Sequence, residues 1–265
     1  MPIYSYLKST IKHAIAKLKI FDNPSIALCA ENKLLPAVML RTQSRNLREL
    51  LCLFPCEHES QLNQDIFALL MNGFKPGFFV EIGANDGITL SNTICLEECF
   101  GWQGILIEAN PKYKLSLYRR KRSTTVIKAV FTGEGRIPFV DAGLYGGIYK
   151  KLDNTHQQHT KDCKRIDVEC ESLVDILNRC NAPDCVDFVS VDVEGVEDSI
   201  VEQIAGSSYR FKFGCVEHNF NDNKYKKMAT MLKSSNYRIL WEGQTQQDLF
   251  FIAEELYPWI RVLTS

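Results

Sequence analysis

The chain has 265 residues, which is enough for one large domain or for one domain with an appendage. Its 31 basic and 32 acidic residues give a formal net charge of −1, so no global positive field favours a nucleic acid as partner. No stretch approaches the roughly 18 apolar residues of a membrane span, and no signal-peptide pattern opens the chain.

The ten cysteines are scattered along the chain and never form a Cys-x-x-Cys pair. Several lie in apolar runs, where a free thiol packs as a small hydrophobic side chain. We therefore predict reduced cysteines and a cytoplasmic setting. A zinc site at one of two pairs with i,i+4 spacing, Cys52 with Cys56 or Cys95 with Cys99, is the alternative.

The first twenty residues carry four lysines and no acid, with apolar residues at helical spacing. A helix of this kind suits peripheral contact with the anionic inner surface of a membrane. Packing on its own domain, or self-association with a second copy of the chain, is the simpler interpretation. Residues 1–55 are predicted to be a helical appendage to a domain at 56–265.

From residue 60 onward, helical periodicity alternates with runs typical of strands. The predicted helices are 61–72, 91–100, 111–121, 171–180, 196–205 and 223–234. The predicted strands are 78–82, 104–109, 124–131, 186–193 and 213–219, followed by an antiparallel pair at 237–242 and 248–254. This alternation predicts an α/β fold with a mostly parallel, Rossmann-like sheet covered on both faces.

A glycine-containing loop, VEIGANDG at residues 80–87, follows the first strand. Ligands of open α/β sheets bind beyond the carboxyl ends of the strands, where this loop lies. A loop for pyrophosphate would present bare amides, whereas the carboxylates of Glu81 and Asp86 repel phosphate. The loop favours a cationic ligand without phosphate, such as S-adenosylmethionine, with Glu81 offering an acceptor to it.

Glu108 ends the second predicted strand, 21 positions after Gly87. A carboxylate at about this spacing binds ribose hydroxyls in dinucleotide folds. Together with the preceding loop, this spacing predicts that Glu108 holds the ribose of an adenosine.

The motifs together resemble the FkbM family of S-adenosylmethionine-dependent methyltransferases over about residues 60–255. The resemblance rests on SQLNQD at 60–65, VEIGANDG at 80–87, SNT at 91–93, GWQGILIE at 101–108, VDVEGVE at 191–197, VEHN at 216–219 and DLFFI at 248–252. It implies a class I methyltransferase fold with strand order 3-2-1-4-5-7-6 and an antiparallel last strand.

The resemblance also implies a set of cofactor residues. The loop would contribute Glu81, Gly83, Asn85, Asp86 and Gly87, and Glu108 would take the ribose. The methionine end would be held by Ser91 and Asn92 at the start of the next helix, and by Gln64 and Asp65 upstream. A plain helix cap for Ser91 and an exposed helix face for Gln64 and Asp65 are the alternatives.

Acidic residues and a histidine follow the fourth and fifth predicted strands, in DVEGVE and EHN. Methyl transfer needs a nucleophile that loses its proton to a base or is activated by a metal. Asp192, Glu194 and His218 are therefore predicted to be catalytic, and to hold a divalent metal such as Mg²⁺ or Mn²⁺. In the metal-free alternative His218 is a base oriented by Asp192 or Glu194. In the structural alternative Asp192 only caps a helix and His218 is only a hydrogen-bonded histidine.

The family resemblance implies an O-methyltransferase acting on a hydroxyl of a sugar, or of another glycan-pathway or natural-product intermediate. The long segment 132–164 is of the kind that forms a substrate lid, and His156 and His159 within it are read as loop residues. A nicotinamide-dependent sugar oxidoreductase or epimerase is a weaker alternative because the downstream Tyr-x-x-x-Lys dyad is missing. A non-catalytic, membrane-associated scaffold with the same fold is the third.

Overall fold

The computed structural model of the protein describes residues 59–72, 75–133, 135–152, 160–243, 245 and 247–259. The predicted appendage at 1–55 lies outside the described residues, together with its proposed membrane helix. His156 and His159 also lie outside them, as does the Cys52 and Cys56 pair.

Six α-helices are described: α1 (Gln64–Met71), α2 (Ile94–Phe100), α3 (Lys114–Leu117), α4 (Leu173–Arg179), α5 (Glu197–Ala205) and α6 (Asp222–Ser234). The described strands are β1 (Phe78–Ile82), β2 (Gln103–Glu108), β3 (Ser123–Ile127), β4 (Ala129–Val130), β5 (Gly135–Asp141), β6 (Gly147–Ile148), β7 (Lys164–Glu171), β8 (Cys185–Val191), β9 (Arg210–Glu217), β10 (Tyr237–Leu240) and β11 (Asp248–Ala253). Short 3₁₀ turns at Pro111–Tyr113, Gly143–Tyr145 and Glu254–Trp259 complete the list.

The main sheet has seven strands in the order β3-β2-β1-β8-β9-β11-β10. When the seven strands of this sheet are renumbered 1 to 7 in chain order, their spatial order is 3-2-1-4-5-7-6. β11 pairs antiparallel with both β9 and β10, whereas the other neighbours are parallel. The predicted α/β class, strand order and antiparallel last strand are confirmed.

Apolar layers cover both faces of this sheet, as strand alternation requires. On one face Phe79 packs with Phe67 of α1 and with Trp102, all fully buried. On the other, Val80 and Ile82 pack with the apolar sides of α4, α5 and α6. Glu81, the one polar residue of β1, lies one position before the carboxyl end of the strand and so reaches the edge of the sheet where the ligand site is expected.

A second sheet was not predicted. The predicted strand 124–131 is divided into β3 in the main sheet and β4 in a four-stranded sheet of order β4-β7-β5-β6. β5 and β7 pair antiparallel from Gly135 with Cys170 to Asp141 with Lys164. The segment 132–164 therefore contributes folded structure beside the main sheet, and its movement as a lid stays a prediction.

The segment after β2 is less helical than predicted, since only Lys114–Leu117 is α-helical. Arg120, just beyond it, is buried and donates from Nε to Glu97 Oε2 at 2.8 Å and from Nη1 to the Gly87 carbonyl at 2.8 Å. These bonds turn the chain inward after one helical turn. Within the described part of the chain, no helix is both long and apolar enough to cross a bilayer.

None of the seven cysteines in the described part of the chain is in a disulfide. Cys95 is buried in the apolar layer beside α2, as expected of a small hydrophobic residue. Within the described residues the only cluster with metal-ligand geometry contains no cysteine, so the zinc alternative at Cys95 and Cys99 gains no support.

Candidate functional site

A cleft opens beyond the carboxyl ends of β1, β2 and β8, the place where open α/β sheets bind ligands. The loop after β1, the end of β2 and the turn after β8 form three of its sides. Phe139, Leu144 and Ile148, from the second sheet and its connections, close the fourth. The cleft is lined by the predicted residues Glu81, Gly83, Asn85, Ser91, Asn92, Glu108, Asp192 and Glu194.

Gly83 brings the loop against the neighbouring strand. Its φ is +89°, and a Cβ atom there would lie 1.7 Å from the carbonyl oxygen of Asp192. Only glycine fits this contact, which fixes the loop beside the end of β8. Asn85 has a φ of +48°, and its buried side-chain oxygen has no hydrogen-bond partner.

Glu108 holds the loop from the next strand. Its Oε2 accepts from the Asn85 amide at 2.8 Å, and its Oε1 accepts from the Asn110 amide at 2.6 Å. Burial raises the pKa of Glu108 to about 7, although the two amides and Lys112 oppose that rise. Each oxygen can accept a further hydrogen bond, so the carboxylate is available to a ligand in the cleft.

Glu81 differs from the expectation, because its carboxylate binds the protein itself. It accepts from the Asn92 amide at 2.8 Å, from Thr93 Oγ1 at 2.7 Å and from Ser91 Oγ at 3.2 Å. Burial raises its pKa, against the lowering effects of Arg120 and these donors. Glu81 thus fixes the 91–93 turn more than it offers an acceptor to a ligand.

Ser91 also has a structural part, since its Oγ accepts from the amides of Thr93 and Ile94 at the start of α2. Ser91 thus stabilises the turn before α2, although the N-cap position of this helix is Thr93 and not Ser91. Asn92 is different: its Nδ2 donates to Ser190 Oγ at 2.8 Å, while its buried Oδ1 has no partner. Asn92 remains free to accept a hydrogen bond from a ligand.

Three predicted cofactor residues, Asp65, Asp86 and Gly87, line neither the cleft nor the smaller pocket beside it. Asp86 accepts from the amides of Ile88 and Thr89, so it stabilises a turn. Gly87 has a φ of +78° and packs beside Leu117. Asp65 is fully buried and accepts from the Ile66 amide and from Ser60 Oγ. The structure gives these residues structural positions in place of the expected ligand contacts.

A smaller polar pocket adjoins the cleft and shares Leu90, Asn92, Ser190 and Asp192 with it. Gln64 lies in this side pocket, where its Nε2 donates to Asp248 Oδ2 at 2.8 Å. Burial raises the pKa of Asp248 to about 7, opposed by this hydrogen bond. Gln64 is buried, so its exposed-face alternative is wrong, and Asp248 is a site residue that the sequence analysis did not single out.

Three carboxylates meet at the junction of the cleft and the side pocket. Asp192, Glu194 and Glu217 offer oxygens that all lie within 4.8 Å of one another. Asp192 is accessible from the cleft, whereas Glu217 is buried with its Oε2 unpartnered. Desolvation by the surrounding protein atoms raises the pKa of Asp192 to about 6. Desolvation, together with the negative charges of Asp192 and Glu194, raises the pKa of Glu217 much further.

His218 does not join this cluster. Its ring packs edge-on to Tyr225 at 5.2 Å, and neither ring nitrogen has a hydrogen-bond partner. Burial and the charge of Lys224 lower its pKa. The carboxylate cluster in the structure therefore contains Glu217 where the predicted ligand set had His218. Neither Asp192 nor Glu194 orients the imidazole through a hydrogen bond.

The turn after β8 is held in place by Glu197, the first residue of α5. Glu197 accepts from the amides of Val193 and Gly195 and pairs with the buried Lys224 of α6. Glu194 sits at a φ of +63°, and Asn219 Nδ2 donates to its Oε2 at 3.1 Å. This bracing keeps the carboxylate of Glu194 beside that of Asp192.

The charged groups of the cleft are mostly acidic. Its described lining contains Glu81, Glu108, Asp192 and Glu194, and Lys128 is the one cation among these residues. Lys128 is itself paired with Glu171 at 3.0 Å. A ligand with several phosphates would be repelled here, whereas a cationic, hydroxyl-bearing ligand fits the charge.

Comparison with known proteins points to one family. A family model described as "Methyltransferase FkbM domain" matches residues 81–239. A methyltransferase FkbM from Methylobacillus flagellatus KT is 14% identical with a TM-score of 0.44, covering 86% of this chain and 58% of that one. The METTL16 MTase domain is 12% identical with a TM-score of 0.45, covering 95% of this chain and 92% of that one.

A third solved structure, M. jannaschii TYW2 in complex with AdoMet, is 10% identical with a TM-score of 0.33, covering 73% of this chain and 74% of that one. None of the curated proteins matches the chain significantly.

Proposed function

This chain belongs to the FkbM family of S-adenosylmethionine-dependent methyltransferases, and we propose that its acceptor is a hydroxyl group of a sugar, or of another glycan-pathway or natural-product intermediate. Membership in this family leaves no place for the oxidoreductase alternative. The observation that carries the proposal is the carboxylate cluster of Asp192, Glu194 and Glu217 at the mouth of the side pocket. Carboxylates accept hydrogen bonds from hydroxyl groups, and they can also take up a hydroxyl proton.

The cofactor assignment rests on the cleft. Glu108 has spare acceptor capacity on both oxygens, so it suits the two ribose hydroxyls of the cofactor. Ala109, Ala129 and Val130 give the neighbouring wall the apolar surface that an adenine ring needs. The unpartnered oxygens of Asn85 and Asn92 can accept from the cofactor's ammonium group.

The side pocket supports the acceptor's position. Gln64, Gln247 and Asp248 line it with amide and carboxyl groups, and Asp192 lies at its junction with the cleft. A polyhydroxyl ligand there would exchange hydrogen bonds with these groups, while one of its hydroxyl oxygens faces the methyl group.

In the proposed reaction, the acceptor oxygen attacks the methyl carbon while the carbon–sulfur bond breaks and its electron pair stays on sulfur. The hydroxyl proton passes to the carboxylate of Asp192, which is reachable from the cleft and has a pKa near neutrality. Glu217, whose carboxyl oxygen lies within 4.8 Å of that of Asp192, is positioned to orient this carboxylate.

The carboxylate cluster also fits a divalent cation such as Mg²⁺ or Mn²⁺. Asp192, Glu194 and Glu217 would hold it with hard oxygen ligands, and the unpartnered Oε2 of Glu217 is the structural observation in its favour. When bound, such an ion lowers the pKa of the acceptor hydroxyl.

Incubation with methyl-labelled cofactor and a panel of free sugars, glycosides and nucleotide-sugars, read by mass spectrometry, tests the activity, and the acidic lining favours the acceptors without phosphate. Asp192→Asn should reduce turnover by about 10²- to 10⁴-fold, whereas His218→Ala should leave it nearly unchanged because the imidazole lies outside the cluster. Asp198→Asn is the matched control, since Asp198 pairs with Lys227 on the surface.

Two results separate the alternatives. Turnover that persists in excess chelator, with no metal found by elemental analysis, removes the cation and leaves Asp192 as the base. A folded chain that shows no cofactor binding in calorimetry supports the non-catalytic scaffold. Normal turnover of Asp192→Asn contradicts the proposed mechanism.

A further inference from the structure

Positive charge is concentrated in one segment of a chain whose formal net charge is −1. Between Glu108 and Glu134 there are seven basic residues and no acid: Lys112, Lys114, Arg119, Arg120, Lys121, Arg122 and Lys128. Three of these are paired inside the protein, Lys112 with Asp141, Arg120 with Glu97 and Lys128 with Glu171. The segment still carries a surplus of positive charge after these pairs are counted.

The other four basic residues are exposed at the surface: Lys114, Arg119, Lys121 and Arg122. Within the described part of the chain, none of them forms an ion pair with a carboxylate. Their charges therefore face solvent, where they can meet an external anionic surface.

Large apolar side chains are exposed in the same region. Leu115 is 79% exposed and Tyr118 52%, both in or next to α3, and Ile88 is 41% exposed in the loop after β1. The two segments lie together because Ser116 Oγ donates to the Asp86 carbonyl at 2.6 Å. The Lys114 ammonium lies 5.7 Å from the centre of the Tyr118 ring. Apolar and cationic groups are thus interleaved on one surface.

We propose that this basic-apolar patch, defined as Ile88, Lys114, Leu115, Tyr118, Arg119 and Lys121, docks the enzyme on an anionic lipid membrane. A bilayer surface offers both kinds of contact that the patch needs. Its anionic headgroups attract the lysines and arginine, and the acyl boundary accepts aliphatic and tyrosine side chains. A nucleic acid would satisfy the cations but leave Leu115 and Ile88 in water.

The patch borders the cleft. Thr89 and Tyr113, which follow and precede patch residues in the chain, both line the cleft wall. A docked enzyme would therefore bring this side of the cleft close to the lipid headgroups. The docking itself does not depend on methyl transfer and can be measured without it.

Co-sedimentation of the full chain with vesicles tests the proposal. Vesicles of phosphatidylcholine with phosphatidylserine should bind the protein, and vesicles of phosphatidylcholine alone should bind it much more weakly. Added salt should weaken binding to the anionic vesicles, because it screens the attraction to their headgroups. The double variant Arg119→Gln/Lys121→Gln should bind the anionic vesicles roughly 25-fold more weakly, a factor of about five for each cation lost. Leu115→Gln should also weaken binding, because the side chain no longer enters the acyl boundary.

Lys226→Gln is the matched control, since Lys226 is an exposed lysine on α6, outside the patch. It should bind like the unaltered chain. Circular dichroism checks that each variant keeps its fold. Unchanged vesicle binding of both patch variants assigns the contact to another part of the chain and overturns the proposal. Binding to an oligonucleotide but not to anionic vesicles overturns it in favour of a nucleic-acid surface.

Discussion

Glu108 is a buried acid whose pKa is raised to about 7, mainly because burial disfavours its charged form. An acid with a raised folded-state pKa costs stability when it ionises. Its destabilising effect is absent below the unfolded-state value of 4.5, grows as pH rises from 4.5 to about 7, and stays constant above that. A ligand with two hydroxyl donors reverses this preference, since it stabilises the ionised carboxylate.

The first prediction is a pH dependence of cofactor binding. If only the ionised form of Glu108 accepts both ribose hydroxyls, the dissociation constant should fall about tenfold between pH 6 and pH 8. Isothermal titration calorimetry measures it. Glu108→Gln should bind more weakly and lose the pH dependence; a variant with the same slope would assign the titration to another group.

The sequence predicts the position of some site residues at strand ends but not of others. The position of Glu108 at the end of a strand, and its distance from the loop, were readable from the sequence. The choice between Glu217 and His218 was not, because successive side chains at a strand end point in opposite directions. Glu217 is the last residue of β9 and joins the carboxylate cluster, while His218 packs against Tyr225.

At the scale of the elements, the loop after β1 depends on a close backbone contact with β8. Gly83 combines a positive φ with a crowded site, since its missing Cβ would meet the Asp192 carbonyl at 1.7 Å. Gly133 has nearly the same φ, +93°, but nothing within 4 Å of the position of its Cβ. Comparing Gly83 with Gly133 therefore separates the cost of a clash at the Cβ position from the cost of the left-handed backbone.

The second prediction compares these glycines. Gly133→Ala should cost only about 1 kcal/mol of unfolding free energy, the cost of the left-handed backbone alone. Gly83→Ala should cost clearly more and should also weaken cofactor binding, because the loop must move away from β8. Urea unfolding and calorimetry measure the two effects. Equal losses of stability would show that the loop moves aside freely.

The elements also show where sequence reasoning stopped. The strands of the main sheet were predictable because they are apolar runs between helices, such as Phe78–Ile82. The second sheet was missed because β5 contains Pro138, which counts against a strand, and lies in a segment rich in glycine, although the alternation of β7 was a readable strand signal. Their pairing over residues 135–171 is a long-range contact that local pattern does not encode.

At the scale of the whole molecule, the order of the main-sheet strands follows from the alternation of helices and strands and from the family resemblance. The cleft is built between the carboxyl ends of β1, β2 and β8 and the second sheet, so its described lining falls within residues 81–196. The carboxylate cluster adds Glu217, and the side pocket extends the site to Gln61 and Asp248. Every sequence motif assigned to the cofactor lies at or after residue 60.

The third prediction therefore concerns deletion of residues 1–20. The shortened chain should bind S-adenosylmethionine with nearly the same affinity, because every sequence motif assigned to the cofactor lies downstream. Bound cofactor should also protect it as strongly against heat, by about 2.7 kcal/mol at a hundred times the dissociation constant. Calorimetry and thermal unfolding of both chains measure this. A shortened chain that fails to fold would show that the first twenty residues pack on the domain, whereas a folded chain with reduced self-association would assign them to contact between copies.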